Sequence, residues 1–121
     1  MFETIQWHCF AQAADRRTAE RLVARLAARS PLPVEIESYE RYWKSPELAD
    51  LRLVSPLRGA APDQALLTTL ECAWAFATPW SLANPDGGTR HEFTGIASAD
   101  TGARFTVAGV EWMEFLLTDR P

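Results

Sequence analysis

The chain has 121 residues, 47% apolar and 23% charged, which is the composition of a folded protein and excludes a disordered one. Its length matches one ordinary domain, so a single domain over residues 1–121 with one core is expected. Acidic side chains outnumber basic ones 16 to 12 and the net charge is -4, which argues against a protein built to hold phosphate backbones, so no nucleic acid partner is expected.

No stretch approaches the ~18 apolar residues of a membrane span, and Met1 to Thr4 does not begin a basic-then-apolar leader. A cytoplasmic protein with no membrane partner is expected. Cys9 and Cys72 are too few for a disulfide framework and read as free thiols.

Phe2 to Ala11 is rich in β-branched and aromatic residues, with Ile5, Trp7 and Cys9 on one face and Thr4, Gln6, His8 and Phe10 on the other, which predicts a strand. Asp15 can cap a helix from Arg16 to Arg29, where Ala19, Leu22, Val23 and Leu26 form one buried stripe. Pro31 and Pro33 stop it. Val34 to Trp43 alternates Val34 and Ile36 against Glu35, Glu37 and Tyr39, a strand with one wet face. After an irregular stretch from Lys44 to Asp50, Leu51 to Leu57 reads as a third strand.

Pro62 and Asp63 suit the start of a second helix, which is expected to end near Thr78-Pro79 and to bury Leu66, Leu67, Leu70, Trp74 and Ala77. Asn84-Pro85-Asp86-Gly87 carries the residues of a tight turn and predicts a hairpin between Trp80–Ala83 and Arg90–Ala97. A second turn at Ser98 to Gly102 leads to a last strand from Arg104 to Thr118. Its apolar parity switches at Gly109, from Phe105 and Val107 to Val110, Trp112 and Leu116, as a bulge requires. The order β-α-β-β-α-β-β-β predicts an α+β two-layer sandwich: a mainly antiparallel sheet of five to six strands with two helices on one face. Its first six elements follow the ferredoxin-like order and a C-terminal meander extends the sheet.

Catalytic signals are weak. His8 beside Cys9 and His91 beside Glu92 look like ligand pairs, but adjacent strand residues point to opposite faces, so no metal is expected. Cys72 lies in the third turn of its helix, away from the positive end that activates a thiol. Glu35 and Glu37 are spaced like paired glycosidase carboxylates, yet alternating acids are commonplace on a wet strand. No phosphate loop, nucleophile elbow or dinucleotide fingerprint is present, and neither a catalytic residue nor a cofactor is assigned.

Three surfaces remain. Arg17, Arg21, Arg25 and Arg29 repeat down the first helix, either as a solvated face or as a docking ridge for an acidic partner. On the second helix, Ala65, Thr68, Cys72 and Phe76 form an uncharged face opposite the leucines, which either part of this chain or a second copy must cover, so monomer and homodimer both stand open. Glu35, Glu37, Tyr39 and Trp43 are expected on a sheet face without helices, where aromatic rings among carboxylates suit a basic protein partner. The expected function is a non-catalytic binding module, such as a small inhibitor of immunity or antitoxin type acting on a basic partner. The alternative is a ligand-binding protein or enzyme with a pocket between helix and sheet, where His8 or His91 acts beside Glu92 or Glu111.

Overall fold

Strand β1 (Phe2–Gln12) runs through the middle of the sheet and sorts the chain into an inner and an outer side. In the computed structural model, which describes residues 1–84 and 92–119, Ile5, Trp7, Cys9 and Ala11 are buried while Gln6, His8, Phe10 and Gln12 alternate with them on the other face. The chain then forms α1 (Arg16–Arg29), β2 (Glu35–Arg41), β3 (Leu48–Ala60), α2 (Pro62–Phe76), β4 (Ala77–Thr78), β5 (Ser81–Ala83), β6 (Glu92–Ser98), a 3-10 turn (Ala99–Thr101), β7 (Arg104–Phe105) and β8 (Val110–Thr118). Six strands make one sheet in the order β2-β3-β1-β8-β6-β5, every neighbouring pair antiparallel; β4 and β7 form a separate two-stranded ribbon.

Both helices pack on one face of this sheet, giving the α+β two-layer architecture that the sequence implies. Asp15 caps α1, its Oδ1 accepting from the Thr18 N–H at 2.8 Å, and that bond holds its carboxyl below the ordinary aspartate range. The buried stripe of α1 is Ala19, Leu22, Val23 and Leu26, as the spacing predicts.

The fourth position of the ferredoxin-like arrangement, beside β1, is filled by the last strand β8 and not by the strand that follows α2. Strands β5 and β6 add outside it, paired Ser81 to Ile96, Leu82 to Gly95 and Ala83 to Thr94 as a hairpin requires. The turn residues expected between them, Pro85 to Gly87, and the start of the strand at Arg90 lie outside the described residues. The third strand is longer than expected, because Leu48 to Asp50 already pair with β1 and β2.

Three expectations are corrected. The single last strand is two, β7 and β8, separated by a turn that ends on Gly109 at φ 97, where the Gly109 carbonyl accepts from the Gln12 N–H at 2.8 Å. The bulge lies two residues further on: Phe10 pairs Trp112 and Ala11 pairs Val110, leaving Glu111 as the extra residue. Val110, Met113, Phe115 and Leu117 therefore face the helices, and Trp112 and Leu116 turn to the other side.

The second helix is rotated relative to the leucine-based expectation, and it ends at Phe76, with Ala77 and Thr78 already extended. Its buried residues are Ala65, Thr69, Cys72, Ala73 and Phe76, while Leu67 and Trp74 are 55% and 61% exposed. The reason is Trp7. Its indole stands on the sheet beneath α2, edge-on to Phe115 at 5.9 Å and to Phe76 of the last helical turn at 5.1 Å, and the earlier turns of the helix bury the small side chains Ala65, Thr69, Cys72 and Ala73.

The Trp7 indole N–H donates to the Ser55 hydroxyl at 3.0 Å, and both residues are buried. Ser55→Ala removes the acceptor and leaves a buried donor unpaired, so unfolding free energy measured in urea should fall by about 1–3 kcal/mol. A double-mutant cycle with Trp7→Phe should be non-additive, because the second change removes the donor that the first has stranded.

Candidate functional site

With both helices on one side, the other face of the sheet is left open among the described residues. Neighbouring strands align their outward residues in rows, so a side chain on β1 meets its partners on β3 and β8. His8 lies between Arg52 and Glu114, and Phe10 between Asp50 and Trp112. Tyr42, just beyond β2, is tied back by its N–H to the Leu48 carbonyl at 2.8 Å, which brings its ring over Phe10.

The result is a continuous aromatic cluster. Phe10 stacks on Tyr42 at 4.4 Å and tilts against Trp112 at 5.1 Å; His8 meets Phe10 at 4.8 Å and Trp112 edge-on at 5.2 Å. Trp43 extends it past Tyr42 at 6.4 Å and stands 79% exposed, with the Lys44 ammonium 5.1 Å from its ring centre. His8 Nε2 lies 2.7 Å from Asp50 Oδ1, an orienting bond made diagonally across two strands.

Carboxylates surround the rings. Glu35, Ser38 and Glu40 of β2 pair with Val54, Arg52 and Asp50 on this face, and Glu37 lines the same shallow depression as Gln6, His8, Arg52 and Glu114. Glu111, projected by its bulge, accepts from Gln12 at 2.8 Å. Glu35, Glu37, Glu40, Asp50, Glu111 and Glu114 thus face or border the cluster, against Arg52 and, at the Trp43 edge, Lys44. The surface is acidic with an aromatic centre.

The residues expected from the sequence divide around this face. Glu35 and Glu37 are exposed there, and Trp43 stands at its edge. Tyr39 is not on it: Ile36 pairs Leu53 and Tyr39 pairs Leu51, with one residue too many between them, so both pack toward the core. The sequence reading missed Tyr42, Trp112, Asp50 and Glu114 as a set, because their convergence depends on strand pairing and on the Glu111 bulge. The signal within reach was His8 and Phe10, already on the wet side of the first strand.

On α1, Arg17, Arg21, Arg25 and Arg29 are all exposed. On α2, Ala65, Cys72 and Phe76 are fully buried against this chain's own sheet and Thr68 is half-buried, so the face expected for self-association is covered from within. His8 meets Asp50 and not Glu92 or Glu111. His91 lies outside the described residues.

Cavities between helix and sheet are apolar grooves. One of about 210 Å³ is lined by Leu66, Leu82, Phe93 and Phe115, and another of about 330 Å³ includes Leu32, Leu57, Gln64 and Thr68. The depression beside His8 holds about 60 Å³. Among the described residues no three His, Cys, Asp or Glu side chains are grouped to hold a metal ion, and no helix is long and apolar enough to cross a membrane. Comparison with protein-family models, with curated proteins and with solved structures finds no match for this chain.

Both thiols are buried. Burial, reinforced by the Asp50 carboxylate, pushes Cys9 up to about 12, and burial also raises Cys72, whose sulfur accepts from the Ser30 hydroxyl at 3.5 Å. A disulfide reagent should therefore label neither cysteine in the folded protein near neutral pH, and both once it is unfolded. Because the folded state holds the Cys9 proton more tightly than the unfolded chain, stability should decline as pH rises from about 9 towards 12, and a Cys9→Ala variant should lose that part of the alkaline slope.

Proposed function

We propose that the chain is a non-catalytic protein-binding module that docks a basic partner on the open face of its sheet, acting as a small cytoplasmic inhibitor of immunity or antitoxin type. The observation that carries this reading is the aromatic cluster of His8, Phe10, Tyr42 and Trp112 bordered by six carboxylates, with Trp43 largely exposed at its edge. Tryptophan and tyrosine supply large contact area with little rotamer freedom to lose, which makes them the usual anchors of protein interfaces. The carboxylates around them add charge-dependent capture, speeding encounter with a cationic surface and repelling acidic ones.

The His8–Asp50 pair favours a second reading, since a histidine oriented by a carboxylate is the core of many proton-transfer sites. What weighs against it is volume. The depression of about 60 Å³ beside the pair is far below the ~300 Å³ at which small-molecule sites begin, and the larger grooves on the helix side are lined by neither residue. The same pair serves a binding surface by fixing the imidazole edge against Trp112 and Phe10.

An oligo-arginine peptide tests the proposal by calorimetric titration. Saturable, salt-sensitive binding is expected, weakened by about tenfold in a Glu37→Gln, Glu40→Gln, Glu114→Gln variant and again by Trp112→Ala. Neutralising Asp63 and Glu71 on α2 should change it by less than about twofold. Equal affinity for the wild type and the open-face variant sinks the proposal.

A further inference from the structure

We infer that one basic partner of this face is a second copy of the chain, whose arginine ridge on α1 docks head to tail on the open face of its neighbour. The inference rests on the reading of the open face as a surface for cations and adds what presents them.

The molecule is divided electrically. Residues 16–29 hold five arginines and one glutamate, hence +4, while the whole chain is -4, so the remainder carries -8. Arg17, Arg21, Arg25 and Arg29 are exposed and make no salt bridge within the described residues, although the Asp15 carboxylate at the head of the helix attracts Arg21 and Arg17. They stand on the helix layer and the acidic face is on the opposite side of the sheet, so one copy cannot bring its own ridge to its own open face. Two copies can.

The dimensions correspond. Four arginines at four-residue steps span about 18 Å along a helix. From Glu40 on β2 to Glu114 on β8 the open face crosses three strand spacings, about 14 Å, with Asp50 and Phe10 on the strands between and Trp112 beside Glu114 on β8. Guanidinium groups both chelate carboxylates and stack on aromatic rings, and this face offers the two side by side. Ala24 and Ala28, exposed between the arginines, add no bulk to hold the helix away.

Such a contact is heterologous: it leaves a free ridge at one end of the pair and a free face at the other, so it extends with concentration and does not close as a two-fold dimer. Each copy is negative overall, which keeps the contact weak, and salt screens it.

Two variants isolate the surfaces: Arg17→Gln, Arg21→Gln, Arg25→Gln, which keeps the face, and Glu37→Gln, Glu40→Gln, Glu114→Gln, which keeps the ridge. Sedimentation velocity is run on the wild type, on each variant and on their equimolar mixture, at about 0.01 M and about 0.5 M salt. The wild type should grow beyond one chain with concentration at low salt only, and each variant alone should stay a single chain. Their mixture should form a species of two chains and stop there, since one intact ridge meets one intact face. That restored pair also shows that both variants are folded. A wild type that stays monomeric, variants that associate alone, or a mixture no heavier than its parts each overturns the inference. Oligo-arginine binding by the ridge variant separates the two failures: if the peptide still binds, only the second copy is excluded as partner, and if it does not, the reading of the face falls too.

Discussion

The alternation of β1 is the constraint on which the rest depends. A strand with neighbours on both sides cannot slip by one residue without exchanging its two faces, and here one face carries Ile5, Trp7, Cys9 and Ala11 while the other carries Gln6, His8 and Phe10. Burying Trp7 in the wrong register would leave its indole in water and place His8 under a helix. Because β3 pairs with β1 from Phe2 to Gln12 and β8 pairs with it from Gln6 to Ala11, that one decision sets their faces as well. The core and the open surface are therefore two consequences of a single register.

Bulges determine where this logic departs from simple counting. At Glu37 and Glu111 one residue too many is accommodated, and each shift moves an aromatic ring across the sheet: Tyr39 goes to the core side and Trp112 to the open side. Tyrosine and tryptophan are amphipathic, so either side is acceptable to the side chain alone and the sequence holds no local contradiction that marks the shift. The first strand, the first helix and the hairpin pairing of β5 with β6 were legible because periodicity and capping act locally. Half of the open face was legible for the same reason, through Glu35, Glu37, Trp43 and the outward set of β1. The other half, Asp50, Tyr42, Trp112 and Glu114, is assembled by pairing between strands far apart in sequence.

The orientation of α2 was hidden by a different competition. Hydropathy favours burying Leu66, Leu67 and Leu70, but the space beneath the helix is already filled by Trp7, Phe115 and Trp80. A helix that must approach a tryptophan closely does better with Ala65, Ala73 and Cys72 inward, because close contact along its length recovers more dispersion energy than leucines held at a distance. Over the first turns small size decides the inner face, and only at its end does the helix put a large ring, Phe76, against Trp7. Leu67 and Trp74 remain outside as a consequence.

The open face itself has to be stable without a partner, and the stacking among its rings explains how. Phe10, Tyr42, Trp112 and His8 cover one another, so each is partly buried, and pairs of this kind contribute about 1 kcal/mol beyond the area they bury. The His8–Asp50 bond leaves that imidazole's side chain only 16% exposed and the carboxylate 26%, so much of the desolvation that binding requires has already been met during folding. A surface prepared in this way loses little conformational freedom on contact. With the cationic helix on the far side of the sheet, the molecule also carries a dipole that turns its open face towards positive charge before contact is made. Orientation by the field and preorganisation of the rings then act on the same surface, the first on the rate of encounter and the second on how long the complex lasts.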